Sequence, residues 1–389
     1  MGVYNIETLF QKELEENGFA GANICVLQGG QIVYKNNFGY GSIENNKKVS
    51  DDTIFRIYSM GKSVCSLAAM ILVERGQLDL LTPVGEYIPT FFKCGVLENG
   101  VLVEPKRPIL VKDLFHMTSG LTYPDSVDEV GQITDCVFKE IESGIHEGKE
   151  LNTLQWVEKI ATIPLAFHPG EYWRYGTSAD ILGAIIEVIS NCTLGEFYEK
   201  EIFKPLHMVD TGFFVPEEKY HRFSTLYEKK IIDNKNILEP CHWRHLCLTE
   251  ALKQPAFESA GAGLVYTLSD FTSFAKLMLQ GGKFEGQRIV SEASIKFLST
   301  NQITEKQKEK YYMPHLRGCG YSSFNRVLTN PYEAGLLASE GSFGWDGWTG
   351  PYLFVDRTSN IAFVMMTQVC GYDNKPFMRK LINSVYGIK

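Results

Sequence analysis

The 389-residue sequence lacks the segments that would point to nucleic acid or to a membrane. No basic tract stands out and the formal net charge is −8, which argues against nucleic acid as a partner. The longest strongly apolar run, SLAAMILV, is far too short to cross a bilayer, so we expect no membrane span. The N-terminal stretch MGVYNIETLFQKELEENGFAG carries acidic residues and lacks the basic and apolar regions of a signal peptide.

Cysteines are present but form no regular framework. Nine of them are scattered along the chain, and the number is odd. Together with the missing signal peptide, this pattern favours reduced thiols and a cytoplasmic location. The segment CHWRHLC, from Cys241 to Cys247, contains two cysteines and two histidines, but its spacing matches none of the usual zinc patterns. We therefore expect no metal site.

Three motifs of common enzyme classes are also missing. The sequence has no H-E-x-x-H, no G-x-x-x-x-G-K and no G-x-S-x-G. Their absence excludes the usual metalloprotease, P-loop and α/β-hydrolase interpretations. Any catalytic chemistry must be sought in less specific patterns.

The chain does contain β-rich segments near both ends and helical segments between them. Residues 22–41 form two β-rich runs around Gly29-Gly30, and YLFVD and IAFVMMTQ flank a second turn near the C-terminus. From about residue 80 to 250, helical segments alternate with Pro- and Gly-marked loops. We predict a discontinuous α/β domain of residues 1–80 and 255–389, a mostly helical domain of residues 81–254, and an active site between them.

The stretch IYSMGKSV places Ser59 three residues before Lys62, at the start of a predicted helix over residues 59–75. Residues three apart lie on the same face of a helix, so the amine can reach the hydroxyl. A serine hydroxyl becomes a good nucleophile only when a base takes its proton, and lysine is such a base when burial lowers its pKa. The apolar residues of this helix predict that burial, and its N-terminus would stabilise an oxyanion beside Ser59.

The S-x-x-K pattern alone is weak. A second copy runs from Ser273 to Lys276, where we interpret it as the polar edge of a helix. For an isolated match, an ordinary helix is favoured by about ten to one. His116, in DLFHMTSGL, is a possible general base, but histidines in such positions are mostly packing residues. The functional interpretation of Ser59 therefore depends on the motifs that accompany it.

Those motifs occur in a recognisable order. RIYSMGKSVCSLAAMILVERGQLDLLTPVGEYIP is followed by DLFHMTSGL, HPGEYWRYGTSADILGAIIEVIS and FGWDGWTGPYLFVD. From about residue 22 to the C-terminus the chain resembles the serine β-lactamase and penicillin-binding-protein superfamily, and it looks closest to class C β-lactamases and family VIII carboxylesterases. The resemblance implies an α/β (α+β) fold in which helices flank an antiparallel sheet, beside a mostly helical second region.

The resemblance also implies a role for individual residues. Ser59 matches the nucleophile and Lys62 the motif lysine. Tyr175 matches the tyrosine that, as a phenolate or through Lys62, shuttles protons during acylation and deacylation. The backbone N–H groups of Ser59 and Trp348 match the oxyanion hole. The mechanism that these residues imply needs no metal and no cofactor.

Two motifs depart from the β-lactamase pattern. Thr177 stands where the second motif, Tyr-x-Asn, has asparagine, so the amide's paired donor and acceptor are missing. The third motif, Lys-Thr-Gly in β-lactamases, is Trp345-Asp346-Gly347 here, a W-x-G form like that of some family VIII esterases. We expect all four of these residues to contact the substrate.

These residues predict a serine hydrolase that forms an acyl-enzyme on Ser59 and acts on a small-molecule substrate, most simply an ester of a small acyl group. A β-lactamase or a D-amino-acid peptidase of the DD-carboxypeptidase type is the alternative, and a catalytically inactive binding or scaffold relative is a third possibility. Trp345 removes the cation that would receive a substrate carboxylate, and Asp346 adds a negative charge, so a neutral ester is favoured. The sequence leaves open the oligomeric state and whether another loop restores the cation through Arg174, Arg317 or Arg326.

Overall fold

The structure is a computed structural model that describes residues 2–242 and 245–388. Within these ranges the strands are β1 (Gly21–Gln28), β2 (Gln31–Ser42), β3 (Lys47–Lys48), β4 (Ile54–Arg56), β5 (Val96–Glu98), β6 (Val101–Val103), β7 (Tyr227–Ile232), β8 (Lys235–Pro240), β9 (Val265–Thr267), β10 (Lys283–Phe284), β11 (Gln287–Arg288), β12 (Cys319–Ser322), β13 (Asn325–Leu328), β14 (Phe343–Gly344), β15 (Tyr352–Asp356) and β16 (Ile361–Thr367). The α-helices are α1 (Gly2–Glu15), α2 (Lys62–Glu74), α3 (Val111–Phe115), α4 (Glu129–His146), α5 (Thr153–Ile160), α6 (Ser178–Ser190), α7 (Leu194–Tyr198), α8 (Leu268–Leu279), α9 (Glu292–Leu298), α10 (Glu305–Lys308), α11 (Pro331–Ala334) and α12 (Lys375–Val385).

An eight-stranded antiparallel sheet in the order β12-β13-β14-β15-β16-β1-β2-β3 forms the centre of the fold. It joins strands from both ends of the sequence, because residues 22–28 of β1 pair with residues 361–367 of β16. The two predicted hairpins are present, and Gly29 and Gly30 make the first turn with φ of 57° and 79°. Helix α8 packs against β16, β15 and β1, while α1 packs against α12. The predicted antiparallel sheet flanked by helices is confirmed.

Helix α2 carries the S-x-x-K motif through the interior of the molecule. Every side chain from Lys62 to Leu72 is buried, since the helix is apolar or small on nearly all faces. It packs against α6 and α9. The helix ends just before Gly76, which adopts the left-handed conformation (φ 68°) expected of a C-terminal glycine.

The central part of the chain contains two hairpins that the sequence analysis did not predict. Strands β5 and β6 are joined by Asn99-Gly100, and β7 and β8 by Asp233-Asn234. All four residues have positive φ, as tight hairpin turns require. Helices α3 to α7 still make up most of the regular structure in this region. The division into two domains stays a prediction.

Among the residues that the structure describes, no single helix has both the length and the apolar composition needed to cross a membrane. Only α6 taken together with residues Leu194–Phe203 reaches those limits, and the two are bent by 78° at their junction.

Candidate active site

Ser59 lies in a single 3-10 turn, Tyr58–Gly61, that leads directly into α2. The hydroxyl is therefore at the N-terminal end of a buried helix, where backbone N–H groups and the helix dipole favour negative charge. The preceding residue, Tyr58, has a φ of 45°, a left-handed conformation that is costly for any residue except glycine. Such strain persists only where the surrounding structure holds it, and it is commonly found at functional sites.

Lys62 is fully buried and its amine faces Ser59. Its Nζ donates to Ser59 Oγ at 3.0 Å and to the carbonyl of Gly261 at 2.7 Å. Burial lowers the pKa of Lys62 to about 8, although the nearby carboxylate of Asp180 opposes this shift. An amine with this pKa is partly neutral near physiological pH, so it can accept the proton of the serine hydroxyl.

Asp180 lies buried in α6 near Lys62 and was not predicted from the sequence. Its Oδ1 accepts from Ser259 Oγ at 2.7 Å and from the backbone N–H of Gly261 at 2.9 Å. Desolvation raises the pKa of Asp180, and the charge of Lys62 opposes that shift. The carboxylate thus holds the glycine whose carbonyl binds the lysine amine. The only sign of Asp180 in the sequence was that a polar residue stood on an otherwise apolar helix face.

We expect the pH dependence of turnover to report on this buried pair. Lys62 must be neutral to act as a base, so kcat/KM for a neutral ester should fall as pH drops through about 8. In Asp180→Asn the amide oxygen can still accept both hydrogen bonds, but the charge that raises the lysine pKa is lost. The midpoint should therefore move to lower pH, which initial rates from pH 5 to 9 would measure. An unchanged or higher midpoint would contradict this coupling.

Tyr175 lies beside the pair, in the loop before α6. Its phenol oxygen accepts a hydrogen bond from Trp345 Nε1 at 3.0 Å, and the side chain of Ser59 is close enough to act on its pKa. Lys62 Nζ lies 5.0 Å from the centre of its ring. Burial raises the pKa of Tyr175 well above the usual value, so the side chain is a neutral phenol at neutral pH. Between the two predicted proton carriers, Lys62 is the group whose charge changes near pH 8.

The end of the third motif packs against the residues just before Ser59. Gly347 lies so close to Ile57 that a Cβ atom would come within 2.1 Å of the Ile57 carbonyl oxygen, so only glycine fits there. The next residue, Trp348, places its ring 5.2 Å from that of Tyr58 and 4.5 Å from that of His245. Residues 347–348 are therefore packed against the turn that holds Ser59.

Asp346 and the three arginines of interest all form ion pairs. Arg326 hydrogen-bonds Asp346, and this interaction lowers the pKa of the carboxyl, whose burial alone would raise it. The charge of Asp346 is thus compensated locally. Arg174 binds Asp125 and Asp128, and Arg317 binds Glu333. Of the three, Arg326 is the one that the structure brings to the third motif.

Two further residues complete the surroundings. Thr177 is fully buried at the start of α6, and its Oγ1 makes no hydrogen bond to the described residues. Tyr123, which the sequence analysis missed, lies 5.6 Å from Tyr175 between ring centres and 5.3 Å from Lys62 Nζ. It follows the HMTSGL stretch closely in sequence, and this closeness to a family motif could have identified it. Ser59, Lys62, Tyr175 and Trp345 thus converge, with Tyr123 beside them.

The other candidate patterns lie elsewhere. The second S-x-x-K, Ser273 to Lys276, is in α8, where the amine of Lys276 lies over the ring of Phe284. In the segment from Cys241 to Cys247, residues 243 and 244 lie outside the described residues. Over the described part of the chain, no three His, Cys, Asp or Glu side chains are grouped as ligands of a metal ion would be.

The chain is similar to known proteins along most of its length. The family model described as Beta-lactamase matches residues 6–385. Protein Rv1367c of Mycobacterium tuberculosis (strain ATCC 25618 / H37Rv) is 30% identical over 363 residues, which cover 90% of this chain and 86% of that protein. Esterase EstB of Burkholderia gladioli is 26% identical over 375 residues, covering 93% and 89%.

A solved structure shows the same fold. EstCE1, described as a hydrolase with promiscuous acyltransferase activity, superposes with a TM-score of 0.82 at 23% identity. The superposition covers 99% of this chain and 98% of that one. The whole described chain is therefore similar to a single known architecture.

Proposed function

The chain belongs to the beta-lactamase family as a serine hydrolase, and from this premise we propose that it hydrolyses neutral carboxylic esters through an acyl-enzyme on Ser59. The observation that carries the choice of ester is Trp345. An indole stands at the third-motif position, and its N–H is bound to the phenol of Tyr175. The name of a relative, Esterase EstB, supports the same choice.

In the mechanism that we propose, Lys62 takes the proton of Ser59 as the oxygen attacks the ester carbonyl. The neutral phenol of Tyr175 lies beside both groups and passes a proton to the departing alkoxide. The backbone N–H groups of Ser59 and Trp348 receive the oxyanion. The proton held by Lys62 then restores the phenol of Tyr175. Water attacks the acyl-enzyme and gives a proton to Lys62, and this proton passes to Ser59 Oγ as the acid leaves. Thr177, Trp345, Asp346 and Gly347 form the substrate wall.

The burial of Trp345 and its hydrogen bond explain why a substrate with a neutral group at this position is favoured. The side chain is only 3% exposed, and its single donor is already used on Tyr175. An indole so placed brings neither a positive charge nor a free donor to this position. A substrate carboxylate would lose its hydration there without gaining a cationic partner at this position.

We expect kcat/KM for a neutral nitrophenyl ester to exceed that for a chromogenic cephalosporin by at least about tenfold, since a hydrogen bond to a charged group is worth about 1.5–3 kcal/mol. Both substrates are assayed on one enzyme preparation. Trp345→Lys restores the missing cation and should raise the ratio of cephalosporin to ester turnover. A wild-type enzyme that turns over the cephalosporin as well as the ester would overturn the choice of substrate.

A second candidate, β-lactam or D-amino-acid peptide hydrolysis, is favoured by one observation. Asp346 does not stand as an isolated negative charge, because Arg326 pairs with it and Lys375 and His315 are close enough to lower its pKa. Nη2 of Arg326 is buried without a hydrogen bond to the described residues. An anionic substrate would thus meet less repulsion than the sequence alone suggests, and the cephalosporin measurement decides between the two candidates.

We also propose a reducing, cytoplasmic location. All nine cysteines lie in the part of the chain that the structure describes, and there none of them is in a disulfide bond. Thiols in this number support a reducing compartment, in which disulfides rarely persist.

A further inference from the structure

Two cysteines that the proposed mechanism does not use lie next to each other. Cys241 is the first residue after β8, and Cys370 lies 129 residues later, shortly after β16. Their sulfur atoms are 3.5 Å apart, and one thiol donates a hydrogen bond to the other. Both side chains are half-buried, so part of their surface is open to solvent. The fold thus brings together two thiols that are far apart in the sequence.

Backbone hydrogen bonds hold both cysteines to neighbouring residues at the start of β7. The N–H of Cys241 donates to the carbonyl of Leu226 at 2.9 Å. The N–H of Cys370 donates to the carbonyl of Tyr227, the first residue of β7, at 2.8 Å. The closeness of the two sulfurs is therefore fixed by the pairing of the backbone and does not depend on the side chains alone.

The guanidinium of Arg56 is close enough to both thiols for its charge to act on them. A nearby cation favours the thiolate, which is the form that attacks a disulfide. Burial nevertheless raises the pKa of Cys370, and the hydrogen bond with Cys241 adds to that shift while Arg56 opposes it. Cys370 by itself is thus not a reactive thiol, and its reactivity depends on the partner sulfur beside it.

The segment that carries Cys370 holds the backbone of the proposed oxyanion hole. The N–H of Val369 donates to the carbonyl of Thr349 at 3.0 Å, and the N–H of Tyr372 donates to the carbonyl of Trp348 at 3.2 Å. Cys370 lies between these two contacts. A displacement of Cys370 therefore acts on the peptide units at residues 348–349.

Cys241 is connected to the same tryptophan through the ring of His245. His245 lies four residues after Cys241, and its ring is 4.5 Å from that of Trp348, with 21° between the two planes. The two cysteines thus belong to segments that contact Trp348 separately. Its backbone N–H is proposed to receive the oxyanion, and loss of one such donor typically lowers kcat by about 10²–10³-fold.

We propose that Cys241 and Cys370 form a reversible disulfide bond, and that this bond lowers ester turnover by displacing the backbone at Trp348. Formation of the bond is independent of the proposed function, whereas its effect on turnover rests on that function. The sulfurs of a disulfide are about 2.05 Å apart, so the pair must close by about 1.5 Å and the attached segments must adjust. In a reducing compartment, disulfides of this kind are usually transient and act as redox sensors.

The chemistry is thiol–disulfide exchange, with the disulfide of a small thiol such as glutathione as the oxidant. One thiol of the pair loses its proton and attacks a sulfur of glutathione disulfide, which breaks that S–S bond and releases one glutathione thiolate. The second thiol, 3.5 Å away, then loses its proton, attacks the mixed disulfide and releases the other glutathione thiolate. The released thiolates take up the two protons. Two protein thiols are oxidised, and one glutathione disulfide is reduced to two thiols.

The test is incubation of the full chain with glutathione disulfide, followed by alkylation of the remaining thiols, tryptic digestion and mass spectrometry. Trypsin places Cys241 in the peptide of residues 236–244 and Cys370 in that of residues 358–379, each without another cysteine. We expect these two peptides to be joined by a bond that dithiothreitol cleaves. In parallel, kcat/KM for nitrophenyl acetate should fall at least about tenfold, and dithiothreitol should restore it.

Cys241→Ser and Cys370→Ser should each turn over ester like the wild type when reduced and should keep most of that turnover after oxidation. Cys136→Ser is the matched control, because Cys136 is exposed in α4 and away from the pair. This variant should lose turnover on oxidation as the wild type does.

An oxidised wild-type chain in which Cys136 carries glutathione but peptides 236–244 and 358–379 are not joined would overturn the proposed bond. A bond that forms without changing turnover, or an equal loss of turnover in Cys241→Ser and Cys370→Ser, would overturn its effect on catalysis. If the reduced chain hydrolyses no ester, the proposed function fails, while the joined peptides still establish the disulfide.

Discussion

Ser59→Ala should abolish covalent labelling by a serine-directed fluorophosphonate and should lower ester turnover by about three orders of magnitude or more, as expected when a covalent nucleophile is lost. The physical reason is local. Ser59 Oγ is 3.0 Å from the buried amine of Lys62, and burial brings the pKa of that amine to about 8. Mass spectrometry of the labelled wild-type chain should find one adduct, on the peptide that contains Ser59.

Ser273→Ala is the matched control, because it removes the serine of the other S-x-x-K copy. In that copy Ser273 and Lys276 are half-buried in α8, away from the residues that surround Ser59. The variant should be labelled and should turn over ester like the wild type. The adduct must also be distinguished from one on the buried Ser63, whose hydroxyl donates to Asn325 Oδ1 at 2.8 Å. Labelling that survives Ser59→Ala would show that the nucleophile is elsewhere.

Local sequence could predict the pairing of Ser59 with Lys62, because a spacing of three residues brings the two side chains together where the 3-10 turn leads into α2. The hairpin at Gly29-Gly30 and the helix from Ser178 were predictable because their sequence signals are also local. The hairpin at Asn99-Gly100 was also predictable in principle, since Asn-Gly is a strong turn signal, but its strands are only three residues long.

The supports of the site could not be predicted in this way. The hydrogen bond from Lys62 to Gly261 joins residues 199 apart in sequence, and that from Trp345 to Tyr175 joins residues 170 apart. Contacts between residues so far apart in sequence leave no periodic pattern from which they could be predicted. The family resemblance placed Tyr175 and Trp345 in the site, but it did not show that the indole would bind the phenol. The compensation of the Asp346 charge by Arg326 likewise depends on the pairing of β13 with β14.

Tyr175→Phe and Lys62→Ala should each reduce turnover by at least about a hundredfold, the usual scale of general acid–base catalysis. Tyr175→Phe keeps the ring contacts with Trp345 and Tyr123 and removes only the oxygen that lies between Ser59 and the indole. That change leaves the indole N–H without its acceptor, so thermal unfolding must be measured alongside kcat. Near-normal turnover in a folded Tyr175→Phe enzyme would mean that this phenol is not the proton carrier.

Tyr321→Phe is the matched control for that loss. Tyr321 is fully buried with its ring 5.3 Å from Trp345, and its hydroxyl has no hydrogen-bond partner among the described residues. Removing that hydroxyl tests whether any tyrosine oxygen near the indole matters, and turnover should stay close to that of the wild type.

The combination of the two substitutions distinguishes one relay from two independent groups. Lys62 and Tyr175 both contact the same serine oxygen, so a proton that leaves Ser59 through one must be balanced by the other. Once either side chain is removed, the other can no longer complete the proton transfer by itself. The double variant should therefore lose about as much turnover as the worse single variant, rather than the product of both losses. Independent losses that multiply would show that the lysine and the phenol act in separate steps, with Lys62 alone activating the nucleophile and Tyr175 serving only the leaving group.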